Sequence, residues 1–329
     1  MSERALEFGL LLHTARMTGD GVERPSLDDL WEQTVMVEEL GYDSAWVGDS
    51  SRVETAWPRA DCISVMTAMA MKTSTLRIGC VPLSVPLRNP VLLGHALATV
   101  DVISNGRVVI GVSIGKAGPL GNQEFVACGV PAKEMGARLT ESLDLMRQLW
   151  TNEFVSFHGK FYELDGETGI RPRPIQQPIP TYVAAGANET ALRRAGRFGD
   201  GWFTTVMDPE TFAIHRHKVD AYAREAGRES QVAPSALYAT FHLDSDGDKA
   251  REDAERYLSE YFGSHRRTGA QAGFFGSPEE VAADLQALVD RGLTMVVARI
   301  VSPDVVGQSK MLLEEVQQLL SARPVGVRS

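Results

Sequence analysis

The sequence predicts a single (β/α)₈-barrel domain that spans residues 1–329. Three observations predict it: short apolar runs alternate with longer segments of helical periodicity, these runs number eight, and most connections between them are short. Continuously apolar strands are typical of parallel sheets that are covered on both faces. Eight such strands alternating with helices are expected to close into a barrel, and the chain length suits this fold.

The predicted strands and helices follow one another in a regular order. Capping residues mark several helix starts. Ser277, for example, precedes Pro278 and Glu280, the arrangement of a capping box with proline in the first helical position. Asn89 precedes Pro90 in a similar way. The predicted strands are residues 6–12, 45–47, 76–81, 108–112, 182–185, 202–205, 236–243 and 295–301.

The alternative architecture is an open, doubly wound parallel sheet. Its dinucleotide-binding members carry the pattern G-x-G-x-x-G directly after the first strand, where glycines let the backbone approach a pyrophosphate. Here Gly9 is followed by Leu10 and Leu11. The absence of this pattern favours the closed barrel.

One segment, residues 152–180, interrupts the alternation, and we predict insertions on the barrel rim at about residues 115–130 and 152–180. In the second segment, apolar residues flank His158-Gly159, which predicts a β-hairpin with its turn at these two residues. Four prolines then lead into the fifth strand. We expect both insertions to shield the site from water.

The composition excludes several classes of protein. The net charge is −10 and the sequence pI is about 5.3, whereas a nucleic-acid-binding protein normally presents a basic face. The cysteines Cys62, Cys80 and Cys128 lie far apart, which is typical of a reducing cytoplasm rather than of a disulfide framework. We identify no signal peptide and no apolar stretch of bilayer-spanning length. We therefore expect a cytoplasmic protein that binds neither nucleic acid nor membranes.

Polar side chains follow several predicted strands, at the barrel end where binding and catalytic residues lie. His13 comes after the first strand, Asp49 and Ser50 come after the second, and Arg299 lies in the eighth. We predict that these side chains face the substrate or the polar edge of a cofactor. A structural ion pair is the alternative role for Arg299.

Small residues at the ends of the fourth and fifth strands predict a close approach of the backbone to a ligand. The chain runs from Gly186 directly into a helix, whose amides and the hydroxyl of Thr190 are suited to bind a phosphate. A plain turn with a helix cap is the alternative. Lys116 would add a positive charge. The residues predicted to line this site are Gly111, Ser113, Lys116, Ala185, Gly186, Ala187 and Thr190.

The sequence predicts no metal site, and we identify no Ser/His/Asp nucleophile set. His215 and His217 match an H-x-H metal motif, but they lie in a predicted helix, where residues two apart point to different faces. Asp244, Asp246 and Asp248 resemble a calcium loop without its closing glutamate.

Ordered motifs occur along nearly the whole chain. They are residues 39–50 (ELGYDSAWVGDS), 76–79 (LRIG), 86–93 (PLRNPVLL), 104–107 (SNGR), 111–115 (GVSIG), 157–162 (FHGKFY), 172–176 (PRPIQ), 183–186 (VAAG) and 195–202 (AGRFGDGW). Together these motifs resemble the bacterial-luciferase-like oxidoreductases. Each motif is loose by itself, whereas the ordered set is specific.

The resemblance implies a barrel that binds FMN or the deazaflavin F420, with the cofactor carrying the redox chemistry. It implies a cis peptide behind the cofactor ring at the end of the third strand, which corresponds here to Val81-Pro82. An X-Pro bond adopts cis at a cost of roughly 0.5–1 kcal/mol, against about 3 kcal/mol for other residues. The resemblance also implies that the phosphate lies at Gly186, Ala187 and Thr190.

The chain departs from the family pattern at several functional positions, including the segment after the fourth strand, where Lys116-Ala117-Gly118-Pro119 replaces the family's G-x-x-x-W. Some members place an arginine after the fourth strand, where this chain has Ile114, so that Lys116 would have to compensate. Many F420-dependent members have Asp-His after the second strand, where this chain has Asp49-Ser50. Serine is not a general base near neutral pH without an activating partner, which leaves His13 as the candidate for proton transfer.

From the sequence we favour a luciferase-like monooxygenase that uses reduced FMN and oxygen on a small organic substrate. An F420-dependent dehydrogenase or reductase without oxygen chemistry is one alternative, and a non-catalytic flavin-binding protein is another. The sequence does not distinguish FMN from F420. The expected partners are the small-molecule substrate, a flavin or F420 reductase, and a second copy of the chain in a homodimer.

Overall fold

The computed structural model describes residues 6–13, 17–18, 21–22, 27–50, 60–115, 119–228, 234–262 and 273–321. The strands are β1 (Glu7–Leu11), β2 (Met17–Thr18), β3 (Gly21–Val22), β4 (Ser44–Val47), β5 (Arg77–Ser84), β6 (Val108–Ser113), β7 (Val155–His158), β8 (Glu163–Thr168), β9 (Thr181–Ala184), β10 (Gly201–Thr204), β11 (Ser235–Leu243), β12 (Gly273–Gly276) and β13 (Met295–Ile300). The α-helices are α1 (Leu27–Leu40), α2 (Cys62–Lys72), α3 (Pro90–Ile103), α4 (Pro119–Ala127), α5 (Met135–Thr151), α6 (Glu189–Phe198), α7 (Pro209–Glu225), α8 (Gly247–Phe262), α9 (Pro278–Val289), α10 (Val305–Met311) and α11 (Gln317–Ser321).

Eight parallel strands close into a barrel. Their order around the ring is β1, β4, β5, β6, β9, β10, β11 and β13, and the β13–β1 and β10–β11 pairings complete the ring. Each of the eight predicted strands overlaps one of these strands, so the predicted (β/α)₈ barrel is confirmed. The closed ring also excludes the open sheet, which would leave two edge strands.

Strand β12 was not predicted from the sequence. It pairs with the second half of β11 outside the ring, with Phe274 opposite Phe241. The rings of these two residues stack at a centroid distance of 5.1 Å. Only four residues form β12, and glycines stand at both of its ends. Such a short segment carries little apolar periodicity, and its strand structure depends on the neighbouring β11.

A tryptophan fills the barrel interior near the β1, β4 and β5 strands. Trp46 is fully buried, and its Nε1–H donates to Ser44 Oγ at 2.8 Å. A Cβ atom on Gly79 would lie 2.3 Å from the Trp46 ring, and one on Gly9 would lie 2.6 Å from Trp46 Nε1. The flanking glycines therefore make room for the indole. The other buried members of this interior cluster are Leu11, Val81, Val109, Tyr182, Phe203, Ala236, Met295 and Val297.

The predicted insertion at residues 152–180 contains the expected hairpin, β7 and β8, which pair antiparallel from His158↔Glu163. Its location does not support the expectation that it shields the site. The segment connects the end of α5 to the start of β9, which is the barrel end opposite the strands' carboxyl ends. The Glu141 carboxylate of α5 accepts hydrogen bonds from the N–H groups of Lys160, Phe161 and Tyr162 at 2.8–3.0 Å. The hairpin turn is therefore docked on α5.

The other predicted insertion, at residues 115–130, follows the carboxyl end of β6. Its described part contains α4, and Phe125 of that helix packs with Val130 and Met135. Within the described ranges, no helix has the length and apolar character needed to cross a membrane.

Candidate functional site

The carboxyl ends of the barrel strands bring the predicted catalytic residues to one end of the molecule. Side chains alternate between the faces of a strand, and Arg299 lies two residues after the interior-facing Val297 on β13. His13 and Ser50 lie just beyond β1 and β4. All three side chains are partly exposed, as expected at an open barrel mouth.

The guanidinium of Arg299 is held by two residues of the neighbouring strand β11. Its Nη2–H donates to Thr240 Oγ1 at 2.6 Å, and Thr240 is opposite Arg299 in the strand register. The Arg299 Cζ atom lies 5.7 Å from the centroid of the Tyr238 ring, a cation–π geometry. A positive charge therefore has a defined position at the mouth.

Asp49 does not have the surroundings that the sequence analysis expected. Its carboxylate was predicted to face the substrate or a ring edge, but it accepts two hydrogen bonds from Arg88, at 2.8 Å each, and one from the Ser84 N–H at 2.9 Å. Cys62 Sγ lies 3.5 Å from its Oδ1. The Asp49 side chain is 5% exposed. These contacts make Asp49 a residue that joins the ends of β4 and β5.

Val81 and Pro82 lie at the end of β5 that faces the mouth. The peptide bond between them is cis, as the resemblance implied. The register between β5 and β6 shifts between Cys80 and Leu83, which suits Pro82 because proline has no N–H to donate to a strand ladder. A Cβ atom on Gly111 of β6 would lie 3.0 Å from Val81 Cγ2. Gly111 therefore makes room for the Val81 side chain.

Ser113 ends β6 in register with Ser84 of β5. Residues 111–115 match the G-x-S-x-G pattern of hydrolases, so the expectation from sequence that no such pattern occurs was wrong. In those enzymes the serine occupies a sharp strand-to-helix turn, whereas Ser113 is part of a regular strand and its Oγ accepts a hydrogen bond from the Gly115 N–H at 3.0 Å. This geometry does not support a hydrolase nucleophile.

The predicted phosphate-binding loop, residues 186–190, is exposed at the amino end of α6. A Cβ atom on Gly186 would meet no heavy atom within 4 Å. Asn188 caps the helix, since its Oδ1 accepts from the Ala191 N–H at 3.0 Å. An exposed helix amino end carries N–H groups and a partial positive charge. The loop therefore fits the phosphate group that FMN and F420 share.

A carboxylate stands in the first turn of α6, where it would oppose a bound phosphate. Glu189, however, is bonded to Lys218 at 2.6 Å and to the Tyr222 hydroxyl. The hydrogen bond from Lys218 lowers the pKa of Glu189 below its ordinary value. The Glu189 carboxylate therefore points towards α7, where the positive charge of Lys218 accompanies it.

Two further predictions concern the segment after β6 and metal binding. Lys116 lies outside the described residues. Ile114, at the position where some members place an arginine, is 37% exposed. Among the residues with described side chains, no three His, Cys, Asp or Glu groups come together as a metal site requires.

The closed barrel and the cis Val81-Pro82 peptide agree with what the sequence resemblance implied. Over residues 6–292 the chain matches the family described as luciferase-like monooxygenase. The chain belongs to the luciferase-like monooxygenase family. The match includes β1 to β12 and thus nearly the whole barrel of this family member.

The most similar relatives of this luciferase-like protein include F420-dependent enzymes. An F420-dependent glucose-6-phosphate dehydrogenase of Amycolatopsis mediterranei is 34% identical over 239 residues, which cover 68% of each protein. A 5,10-methylenetetrahydromethanopterin reductase of Archaeoglobus fulgidus is 27% identical over 220 residues, covering 67% of this chain and 61% of the reductase. The solved structure of monooxygenase RslO1 from Streptomyces bottropensis has a TM-score of 0.78 over 96% of this chain and 99% of its own, at 21% identity. The last match is a likeness of fold.

Proposed function

We propose that the protein is an F420-dependent dehydrogenase or reductase, which transfers a hydride between the cofactor and a small organic substrate without using oxygen. The observation that carries this proposal is the sequence identity with an F420-dependent dehydrogenase over two thirds of the chain. The reductase relative supports the same kind of chemistry. These relatives favour the F420 alternative over the FMN monooxygenase that we preferred from sequence.

When bound, F420 supplies a deazaflavin ring that accepts or donates a hydride, while the protein binds and orients it. We assign its phosphate to the loop of residues 186–190. The open space at Gly186 and the exposed amino end of α6 support this assignment. The ring would lie across the mouth beside Val81, Pro82, Gly111 and Ser113, where the filled barrel interior provides a floor that excludes water from beneath.

The polar residues of the mouth have distinct proposed roles. His13 would hold or move the proton that accompanies hydride transfer, because an imidazole titrates near neutral pH whereas the Ser50 hydroxyl does not. Ser50 would donate a hydrogen bond to the substrate or the ring edge. Asp49 would act through Arg88 and Ser84 by fixing the segment that carries Ser50. Arg299, held by Thr240 and Tyr238, would face the polar end of the substrate.

The substrate of the dehydrogenase relative is not transferred to this chain. Fold and cofactor leave substrate choice to the residues of the mouth, and Ser50 stands where many F420-dependent members have a histidine. We propose only a small alcohol, carbonyl compound or imine-like substrate, since these groups exchange a hydride at carbon.

Fluorescence titration of the cofactor-free protein with oxidised and reduced F420 and FMN tests the proposal. We expect tight binding of F420 and reduction or oxidation of the bound cofactor by a panel of alcohols and carbonyl compounds, without oxygen uptake. Preference for reduced FMN together with substrate-dependent oxygen uptake would overturn the proposal in favour of a monooxygenase that requires a reductase. Binding without turnover across the panel would favour the non-catalytic flavin-binding protein.

A further inference from the structure

Ala185 is the last buried residue before the exposed phosphate-binding loop, and β10 binds both of its backbone polar groups. Its N–H donates to the Phe203 carbonyl at 2.9 Å. Its own carbonyl accepts from the Trp202 Nε1–H, also at 2.9 Å. The first is an ordinary bond between neighbouring parallel strands. The second comes from a side chain and holds the backbone at the point where β9 has ended.

The other end of the loop is fixed by the start of α6. The side-chain Oδ1 of Asn188 accepts a hydrogen bond from the Ala191 N–H, and the backbone carbonyl of Asn188 accepts one from the Leu192 N–H, both at 3.0 Å. Only Gly186 and Ala187 lie between the two fixed residues. An anion site made of backbone amides binds more tightly when those amides are held in place before the ligand arrives.

Trp202 occupies a fixed position in the core between β10 and α7. Its side chain is fully buried. Its ring lies 5.1 Å from the ring of Phe212 and 6.3 Å from that of His215, both on α7. The indole therefore has little freedom to move, and the N–H is aimed at the Ala185 carbonyl. Because Ala185 is buried, water does not readily replace this donor.

We propose that Trp202 is a positioning residue for the cofactor phosphate. Its indole N–H fixes Ala185 and thereby the backbone of Gly186 and Ala187 in the geometry that receives the phosphate. This inference rests on the proposed function, since the phosphate is that of the cofactor. The role belongs to the N–H group, not to the apolar bulk of the ring.

The substitution Trp202→Phe separates the role of the N–H group from that of the apolar ring, because it keeps an aromatic ring in the core and removes the donor. Loss of one such hydrogen bond is expected to reduce affinity for the phosphate-bearing ligands by about tenfold. The titrations compare two pairs of ligands that differ in the phosphate. FMN is compared with riboflavin, and F420 is compared with its deazaflavin chromophore lacking the phosphate and the tail. We expect the loss for FMN and F420 only. In the protein without cofactor, amide hydrogen exchange should become faster at residues 186–188.

Trp150→Phe is a matched control. The Trp150 Nε1–H also donates to a buried backbone carbonyl, that of Gly94, at 3.0 Å, but it joins α5 to α3 away from the loop. This variant removes an equivalent bond, and both variants are compared by denaturant unfolding. We expect Trp150→Phe to bind all four ligands as the unmodified protein does and to leave exchange at residues 186–188 unchanged.

An equal loss of affinity for ligands with and without phosphate, or unchanged exchange at the loop in Trp202→Phe, would overturn the proposal. If the unmodified protein binds neither FMN nor F420, the proposed function fails, while the exchange measurement still tests the positioning role. Should Trp202→Phe not fold, Phe212→Leu loosens the indole's position and keeps its N–H. It should then give a smaller, phosphate-specific loss, and no such loss would contradict the role.

Discussion

Asp49 and Arg88 form a partly buried ion pair with two parallel hydrogen bonds, Nη1 to Oδ2 and Nη2 to Oδ1, each 2.8 Å long. Burial alone would lower the pKa of Arg88, but the hydrogen bonds and the charge of Asp49 raise it above the ordinary value. The pair joins the end of β4 to the segment between β5 and α3. The ion pair therefore fixes the carboxyl end of β4, which precedes Ser50, relative to the carboxyl end of β5, which contains Val81-Pro82.

Removal of the Arg88 side chain should destabilise the folded protein, because it leaves the Asp49 carboxylate buried without its partner. We expect Arg88→Met to lower the free energy of unfolding by about 3 kcal/mol, measured by urea denaturation at pH 7. We also expect weaker cofactor binding, since the β4 and β5 ends are no longer joined. Arg88→Lys loses the two parallel hydrogen bonds but keeps the positive charge. We expect its stability to lie between those of the unmodified protein and Arg88→Met.

An exposed ion pair serves as the control for this prediction. Arg171 and Glu153 are joined at 2.5 Å, but their side chains are 72% and 58% exposed. We expect Arg171→Met to change stability by at most about 1 kcal/mol. A loss at Arg88 no larger than the loss at Arg171 would show that Asp49 is adequately solvated without its partner.

The barrel could be predicted because its signal is local. Most of the eight strands are short, continuously apolar runs, and a run such as residues 108–112 is apolar whatever it pairs with. The hairpin at His158-Gly159 was predicted for the same reason. Its position was not, because it depends on Glu141 of α5, which accepts three N–H groups from a segment about 20 residues further along the chain.

The site could be predicted only as a set of strand ends. Sequence position located Ser50 and Arg299 at the mouth, but it did not indicate that Arg88 binds Asp49 from 39 residues away. Trp202 was noted within a family motif, and nothing in the sequence shows that its N–H reaches Ala185, just after the neighbouring strand β9. Both contacts depend on the closed barrel. In each case an arginine or tryptophan inside an ordered motif was the available signal.

Glu38 should make stability depend on pH. Burial would raise its pKa, but hydrogen bonds from the N–H groups of Thr75, Ser74 and Leu76 outweigh burial and lower the pKa to about 2. A lowered folded-state pKa stabilises the protein above the unfolded value near 4.5, and this stabilisation is lost as the pH falls towards 2. We expect Glu38→Gln to cost about 2 kcal/mol at pH 7 and progressively less below pH 4.5, measured by urea unfolding.

The neighbouring Glu39 is the control for Glu38. It is exposed on the same helix, and Glu39→Gln removes the same charge from nearly the same place. We expect it to change stability little at any pH. An equal difference between the unmodified protein and Glu38→Gln at pH 7 and near pH 3 would contradict the role of the charged carboxylate.

Two glycine substitutions should have opposite effects on stability and cofactor binding. At Gly79 an added Cβ would lie 2.3 Å from the Trp46 ring, whereas at Gly186 it would meet nothing within 4 Å. We expect Gly79→Ala to lower the free energy of unfolding by about 2 kcal/mol through overpacking. Gly186→Val should leave stability unchanged and weaken binding of F420 or FMN by crowding the phosphate. If Gly186→Val binds the cofactor normally, the phosphate lies elsewhere.

The position of the β7–β8 hairpin leads to a prediction about its independence from the mouth. Glu141 binds the N–H groups of Lys160, Phe161 and Tyr162, and Arg138 lies 4.4 Å from the centroid of the Phe161 ring. Glu141→Ala removes the acceptor for these three groups. We expect faster amide exchange at residues 155–168, while cofactor affinity and exchange at residues 186–190 stay as in the unmodified protein. A loss of cofactor affinity in Glu141→Ala would instead mean that the hairpin contributes to the mouth.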